Sequence, residues 1–136
     1  MAKSSKVDFV VITPERQVVA DSTDSLTIPA HDGELGILPQ RAPLMCELGI
    51  GQLRFHKDGK VQRYYIEGGF AQVFENQVSV LTDNACPAEE ITPQRIAEAE
   101  KKLAALPPSR ENAAARARVI QSVNAMRRMT GHSAGK

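Results

Sequence analysis

The chain has 136 residues, 42% apolar and 24% charged, with a formal net charge of +1. That is apolar material for one or two compact cores and too balanced a composition for a disordered chain. No apolar run approaches the roughly 20 residues that cross a bilayer. Residues 1–6 are polar and lack the apolar stretch of a signal peptide, so a soluble intracellular protein is expected.

The charge is unevenly placed. Residues 107–136 carry Arg110, Arg116, Arg118, Arg127, Arg128 and Lys136 against Glu111 alone, which leaves residues 1–106 acidic on balance. Such a tail seeks an acidic partner or the acidic body of its own chain. Cys46 and Cys86 form no CxxC pair, so two reduced thiols are expected ahead of a disulfide. His31, His56 and His132 are scattered, without the ligand spacing of a zinc site, and no metal is expected.

In chain order, residues 7–12 are a β-branched apolar run closed by the turn Thr13-Pro14-Glu15-Arg16, where proline fixes φ at the second position. Residues 17–20 continue outward. Residues 25–29 alternate, with Leu26 and Ile28 on one face, and residues 52–57 alternate with Leu53 and Phe55 inward. Asp58-Gly59 then predicts a two-residue hairpin loop, since both positions need positive φ. Residues 61–66 return. Residues 70–74 and 78–81 form a further hairpin turning at Glu75-Asn76, and Gly68-Gly69 marks a bulge or a close backbone approach.

The period then changes. Thr92-Pro93 is a helix start, with threonine as cap and proline at the first helical position. Ile96, Ala99, Leu103 and Leu106 make one helical stripe, and Pro107-Pro108 stops it. Ser109 caps a second helix running to about Met129, with the stripe Ala115, Val119, Val123 and Met126 widened by Ile120 and Met129. Residues 131–136 form a frayed tail. The predicted fold is therefore α+β: an antiparallel β-sandwich or barrel over residues 1–88, then an antiparallel two-helix hairpin over residues 89–136. The alanine-rich stripes bury little area at roughly 25 cal/mol per Å². That suits a marginally held element free to move, or equally a fixed cap.

The run Ile28-Pro29-Ala30-His31-Asp32-Gly33-Glu34-Leu35-Gly36-Ile37-Leu38-Pro39-Gln40-Arg41-Ala42-Pro43-Leu44 closely resembles a signature of the epsilon-subunit family of bacterial F-type ATP synthases. There a Gly-Glu/Asp-x-Gly-Ile-x-Pro loop leads to a His-Ala-Pro-Leu turn. A second match is Ile66-Glu67-Gly68-Gly69-Phe70-Ala71-Gln72-Val73 with Asn76, Val78, Val80, Leu81 and Ala85. The order of parts agrees as well. The resemblance spans residues 7–129. It implies a ten-stranded sandwich that binds the gamma subunit and sits on the membrane rotor ring of c subunits. It also implies a hairpin that can extend to the alpha/beta catalytic hexamer and inhibit ATP hydrolysis. It implies a non-catalytic subunit at the cytoplasmic face of the inner membrane, in a machine making ATP from a proton gradient.

Residue by residue, the resemblance puts Glu34, with His31 and Asp32 beside it, at the rotor ring, in a glycine-framed loop. It puts Arg41, Ala42, Pro43 and Leu44 near gamma. Arg41 replaces the usual histidine and Gln40 a common glycine. Arg116 and Arg127, eleven residues apart and so nearly on one helix face, would meet acidic segments of the catalytic head. Some members bind ATP through Ile/Leu-Asp-x-x-Arg-Ala. Here Ile91 and Arg95 agree, but Thr92 and Ile96 replace the aspartate and the alanine. No cofactor is expected. Phe70, Val73 and Phe74 read as core or interface packing.

Two other functions stand beside this one. The five arginines of the last helix region would also suit a nucleic-acid-binding module, against which stand the near-zero net charge and the lack of aromatics in that helix. An enzyme has no support. Glu89-Glu90 is an acid pair, but no Ser-His-Asp, Cys-His or metal constellation is readable, and acids there favour the positive end of the first helix.

Overall fold

The computed structural model describes the backbone of residues 6–135 and the side chains of residues 6–129. The chain divides into two compact units, Met1–Cys86 and Pro87–Lys136.

The first unit holds eight strands: β1 Val7–Ile12, β2 Gln17–Thr23, β3 Leu26–Ala30, β4 Gly33–Ile37, β5 Leu44–Lys57, β6 Lys60–Phe74, β7 Gln77–Leu81 and β8 Ala85–Pro87. Their hydrogen-bonded order is β2-β1-β7-β6-β5-β3-β4, with β8 also on β6. Among β1–β7 pairing is antiparallel except between β1 and β7, which run parallel from Asp8↔Gln77 to Ile12↔Leu81. The expected ten strands are eight because β5 and β6 run unbroken through 14 and 15 residues. From the sequence, β6 is expected as two pieces, 61–66 and 70–74, and β5 only as residues 52–57.

Alternation explains the core. Val7, Phe9, Val11, Leu26, Ile28, Ile37, Leu53, Phe55, Val78 and Val80 point into one buried cluster. The rings of Phe9 and Phe55 lie 4.6 Å apart. Along β6 the buried inward positions are Ala71 and Val73, then Ile66. The inward side changes parity across Gly68 and Gly69, whose φ values are 74° and 107°. Only glycine adopts these without strain, so the ribbon rolls over there and one strand pair serves two layers. No extra residue is inserted: Leu48↔Gly69 and Ile50↔Glu67 keep one register, so the glycines mark a close approach and not a bulge.

The turns are those the residues dictate. Asp58 and Gly59 have φ of 54° and 75°, and Glu75 and Asn76 have 49° and 62°, both central residues being left-handed as a two-residue hairpin requires.

The second unit holds a short 3-10 turn at Ala88–Glu90, then α1 Pro93–Ala105 and α2 Ala113–Gly135. The Thr92 hydroxyl accepts the Arg95 amide at 3.2 Å, the predicted cap. The second helix starts later and ends later than expected. Ser109 Oγ accepts from the Asn112 amide at 3.3 Å within a turn, and the helix begins at Ala113 and continues to Gly135. The expected fraying of residues 131–135 is thus replaced by helical backbone, while the side chain of His132 and all of Lys136 lie outside the described residues. The buried stripe of α2 is Ser122, Val123, Ala125, Met126 and Met129. Of the two residues expected to widen it, Met129 is buried and Ile120 exposed, and Ala115 is exposed as well.

Candidate functional site

Glu34 does not sit in a loop. It lies in β4, opposite Pro29 of β3, and its carboxylate is gripped by Arg54 of β5 through Nη1 at 2.8 Å and Nη2 at 3.2 Å. This fork-to-fork geometry is the strongest form of an exposed ion pair. Gly33 and Gly36 hid the strand, being poor strand formers; the ladder to β3 forms it nonetheless. His31 and Asp32 are the exposed turn between β3 and β4, and the His31 amide donates to Glu47 O at 3.0 Å.

Arg41, Ala42 and Pro43 are exposed and irregular, and Leu44 begins β5, half-buried. The segment is hung from a strained residue: Gln40 has φ of 71°, where glycine is the comfortable residue, and its amide donates to Asn76 Oδ1 at 2.7 Å. That bond ties residues 40–43 to the β6–β7 turn.

Beside this tie runs a strip of outward apolar side chains. Phe70, Phe74, Leu81, Met45 and Leu38 are all more than half exposed, Met45 at 66% and Phe74 at 53%. Phe70 and Leu81 are direct partners on β6 and β7, and Met45 faces Gln72 next along the same surface. Of the three residues read as core or interface packing, Val73 is core, while Phe70 and Phe74 face out. The alternation Phe70-Ala71-Gln72-Val73-Phe74 carried that signal. Leu38, Met45 and Leu81 carried none, because a single apolar residue beside a core stripe is indistinguishable from it until the ladder is known.

In the helical unit the two singled-out arginines are engaged. Arg116 Nη1 donates to Leu103 O at 3.2 Å and to Leu106 O, so a cation of α2 occupies the carbonyl end of α1. A positive charge there also complements the helix dipole. Arg127 pairs with Glu100 of α1. These contacts set the helices antiparallel. Asn112 Nδ2 adds a bond to Pro107 O at 2.9 Å. Two of the five arginines of this region are thus committed within the helical unit, while Arg110, Arg118 and Arg128 are exposed. At the motif resembling a nucleotide site, Ile91 and Ile96 are buried, Arg95 is half-buried and Thr92 is committed to the cap.

Two electrostatic features complete the first unit. The Lys57–Asp21 pair at 2.6 Å holds the Asp21 carboxyl below the usual carboxylate range through its hydrogen bond, and raises Lys57 likewise. Burial pushes the Cys46 thiol up. Both cysteines are thiols. Among the described residues no cluster of His, Cys, Asp and Glu is placed to hold a metal ion.

The description "ATP synthase, Delta/Epsilon chain, beta-sandwich domain" matches residues 6–88. The chain belongs to the ATP synthase delta/epsilon family. It is 40% identical over 110 residues to the ATP synthase epsilon chain of Leptospira interrogans, covering 78% of this chain and 84% of that one. It is 41% identical over 97 residues to that of Symbiobacterium thermophilum, covering 71% and 70%. In fold it is similar to a chain of the Euglena gracilis mitochondrial ATP synthase, determined as OSCP/F1/c-ring. The TM-score is 0.80 at 22% identity, over 93% of this chain and 82% of that one. As a member of the delta/epsilon family it is a non-catalytic subunit of an ATP synthase, and so part of a membrane-associated complex. No described helix is long and apolar enough to cross a membrane.

Proposed function

We propose that this epsilon-family chain grips the gamma subunit of the rotor through the outward strip of Phe70, Phe74, Leu81 and Met45, with residues 41–44 at its border. The observation that carries this is the strip itself. Contiguous apolar surface rimmed by polar groups marks a place where another protein sits, and the Gln40–Asn76 tie brings Arg41-Ala42-Pro43-Leu44 to its margin. The His31-Asp32 turn and Glu34 meet the rotor ring of c subunits. Glu34 then presents a carboxylate already shared with Arg54, which gives register more than affinity. The chain would in this way couple proton-driven rotation to the catalytic head, at the cytoplasmic face of the membrane.

The helical unit acts as a brake on hydrolysis by reaching the alpha/beta hexamer with Arg116 and Arg127. Both must first leave the Leu103 and Leu106 carbonyls and Glu100, so the brake competes with the hairpin's own bonds. ATP is not assigned to Ile91 and Arg95, since Thr92 supplies no carboxylate and its hydroxyl caps α1.

The test is reconstitution with gamma and the catalytic hexamer. Replacing Phe70 and Leu81 together by serine should weaken gamma binding at least about tenfold, since such anchors carry most interface energy. Unchanged binding would remove the strip from the interface. Hydrolysis should rise when residues 90–136 are deleted; if full-length and shortened chains bind gamma alike and neither alters the rate, there is no brake.

A further inference from the structure

Two guanidinium groups stand opposite each other on the face of β5 and β6 turned away from the core cluster, a face on which Tyr65 is itself buried. Arg54 of β5 and Arg63 of β6 are direct partners in the ladder, while Leu53 and Phe55 on either side of Arg54 point into the core. Like charges directly opposite repel unless something neutralises them. One carboxylate arrives, Glu34 from β4, and Arg54 takes both of its oxygens.

Arg63 receives no acid among the described residues. It is half-buried, its Nε is buried without a hydrogen-bond partner, and among the described residues it makes no ion pair. Diagonally across the same two strands lies Gln52, opposite Tyr65, and its Oε1 is likewise buried and unpartnered. The nearby acid Glu67 accepts the Tyr65 hydroxyl at 2.9 Å. Buried polar groups in folded proteins have partners almost without exception, and where the chain supplies none an ion or a water does. Here two cations share one acid, and a donor and an amide lie idle on the same face.

We propose that this partly covered face of β5 and β6 at Arg63, flanked by Arg54 and Gln52, binds a small oxyanion, a carboxylate or a phosphate. Arg63 forks onto two of its oxygens, the geometry for which a planar guanidinium is suited. Gln52 rotates its amide so that an N–H donor replaces the idle oxygen. Arg54, fixed in place by Glu34, adds positive charge from the neighbouring strand. The bound anion gives each guanidinium one acid. This site stands apart from the shaft-gripping strip and does not depend on it.

The experiment titrates the full chain with inorganic phosphate, and separately with acetate, at constant low ionic strength balanced by chloride. Arginine Nε–Hε resonances are followed by NMR. The Arg63 resonance should move and saturate in the millimolar range, with phosphate, acetate or both; which of them saturates identifies the ligand. Arg63→Gln should weaken binding at least about tenfold, as expected for losing a charge-assisted fork. Arg63→Lys, which keeps the charge and loses the fork, should weaken it less, and it decides the matter if Arg63→Gln does not fold. A shift that never saturates, or that chloride reproduces, would overturn the site. So would a lysine variant binding as tightly as the native chain.

Discussion

A Cβ added to Gly69 would lie 1.9 Å from the carbonyl oxygen of Leu81 and 2.7 Å from Thr82 Cα. Both contacts are with backbone, which cannot turn aside as a side chain would. The φ of 107° adds strain for any other residue. Gly69→Ala should therefore cost about 3–5 kcal/mol of stability. Urea unfolding measures it; a loss under about 1 kcal/mol would mean that the β6–β7 approach is looser than described.

Gln40 presents the opposite case. Its left-handed φ of 71° costs a side-chain-bearing residue about 1–2 kcal/mol, partly returned by the greater unfolded-state freedom of glycine. Gln40→Gly should stabilise the first unit by about 0.5–1 kcal/mol, while Asn76→Ala should loosen residues 40–43. Thermal melts test the first and amide exchange the second.

Arg116→Ala should leave the carbonyls of Leu103 and Leu106 without their cation. A loss of about 1–2 kcal/mol, confined to the helical unit, follows from removing charged hydrogen bonds at a helix C-terminus. Hydrogen exchange should quicken in α1 and α2 and stay unchanged in the strands. Arg127→Ala should do less, because both partners of that pair are largely exposed and water screens them.

The Asp21–Lys57 pair predicts a stability plateau with two limbs. The folded carboxyl titrates below its unfolded value, so its contribution is present above about pH 4 and lost as the pH falls through the folded value. The folded amine titrates above its unfolded value, so its contribution is full below about pH 10 and lost as the pH rises further. Asp21→Asn should flatten both limbs. Guanidinium unfolding across pH would show no such change if the pair is open in solution.

The hairpins were legible because their turns are chemical: Asp58-Gly59 and Glu75-Asn76 announce left-handed backbone without reference to anything distant. The helix start at Thr92-Pro93 was legible for the same local reason. Strand β4 was not, since Gly33 and Gly36 lack strand preference and the pairing with β3 decides. Nor was the continuity of β6, because Gly68-Gly69, read as a bulge or a close approach, is where one strand rolls from layer to layer. The first half of β5, residues 44–51, was not legible either, because its glycines likewise lack strand preference. At the candidate site, Glu34 was found by resemblance, but its Arg54 partner lies 20 residues on, across two strand pairings. Arg116 was placed on the right helix and given a free face; only the packing of α1 against α2 shows which carbonyls it occupies.

The side-by-side, same-direction pairing of β1 with β7 has a consequence during synthesis. The first strand leaves the ribosome early and finds β2 at once, but its second edge waits for a partner some 70 residues later, several seconds at about 5–20 residues per second. For that interval the nascent polypeptide carries an open, β-branched border of the kind that recruits other unfinished chains. Asp8, the exposed second residue of β1, is the charge that guards it. Removing that acid should lower soluble yield in the cell far more than it lowers the stability of the finished protein.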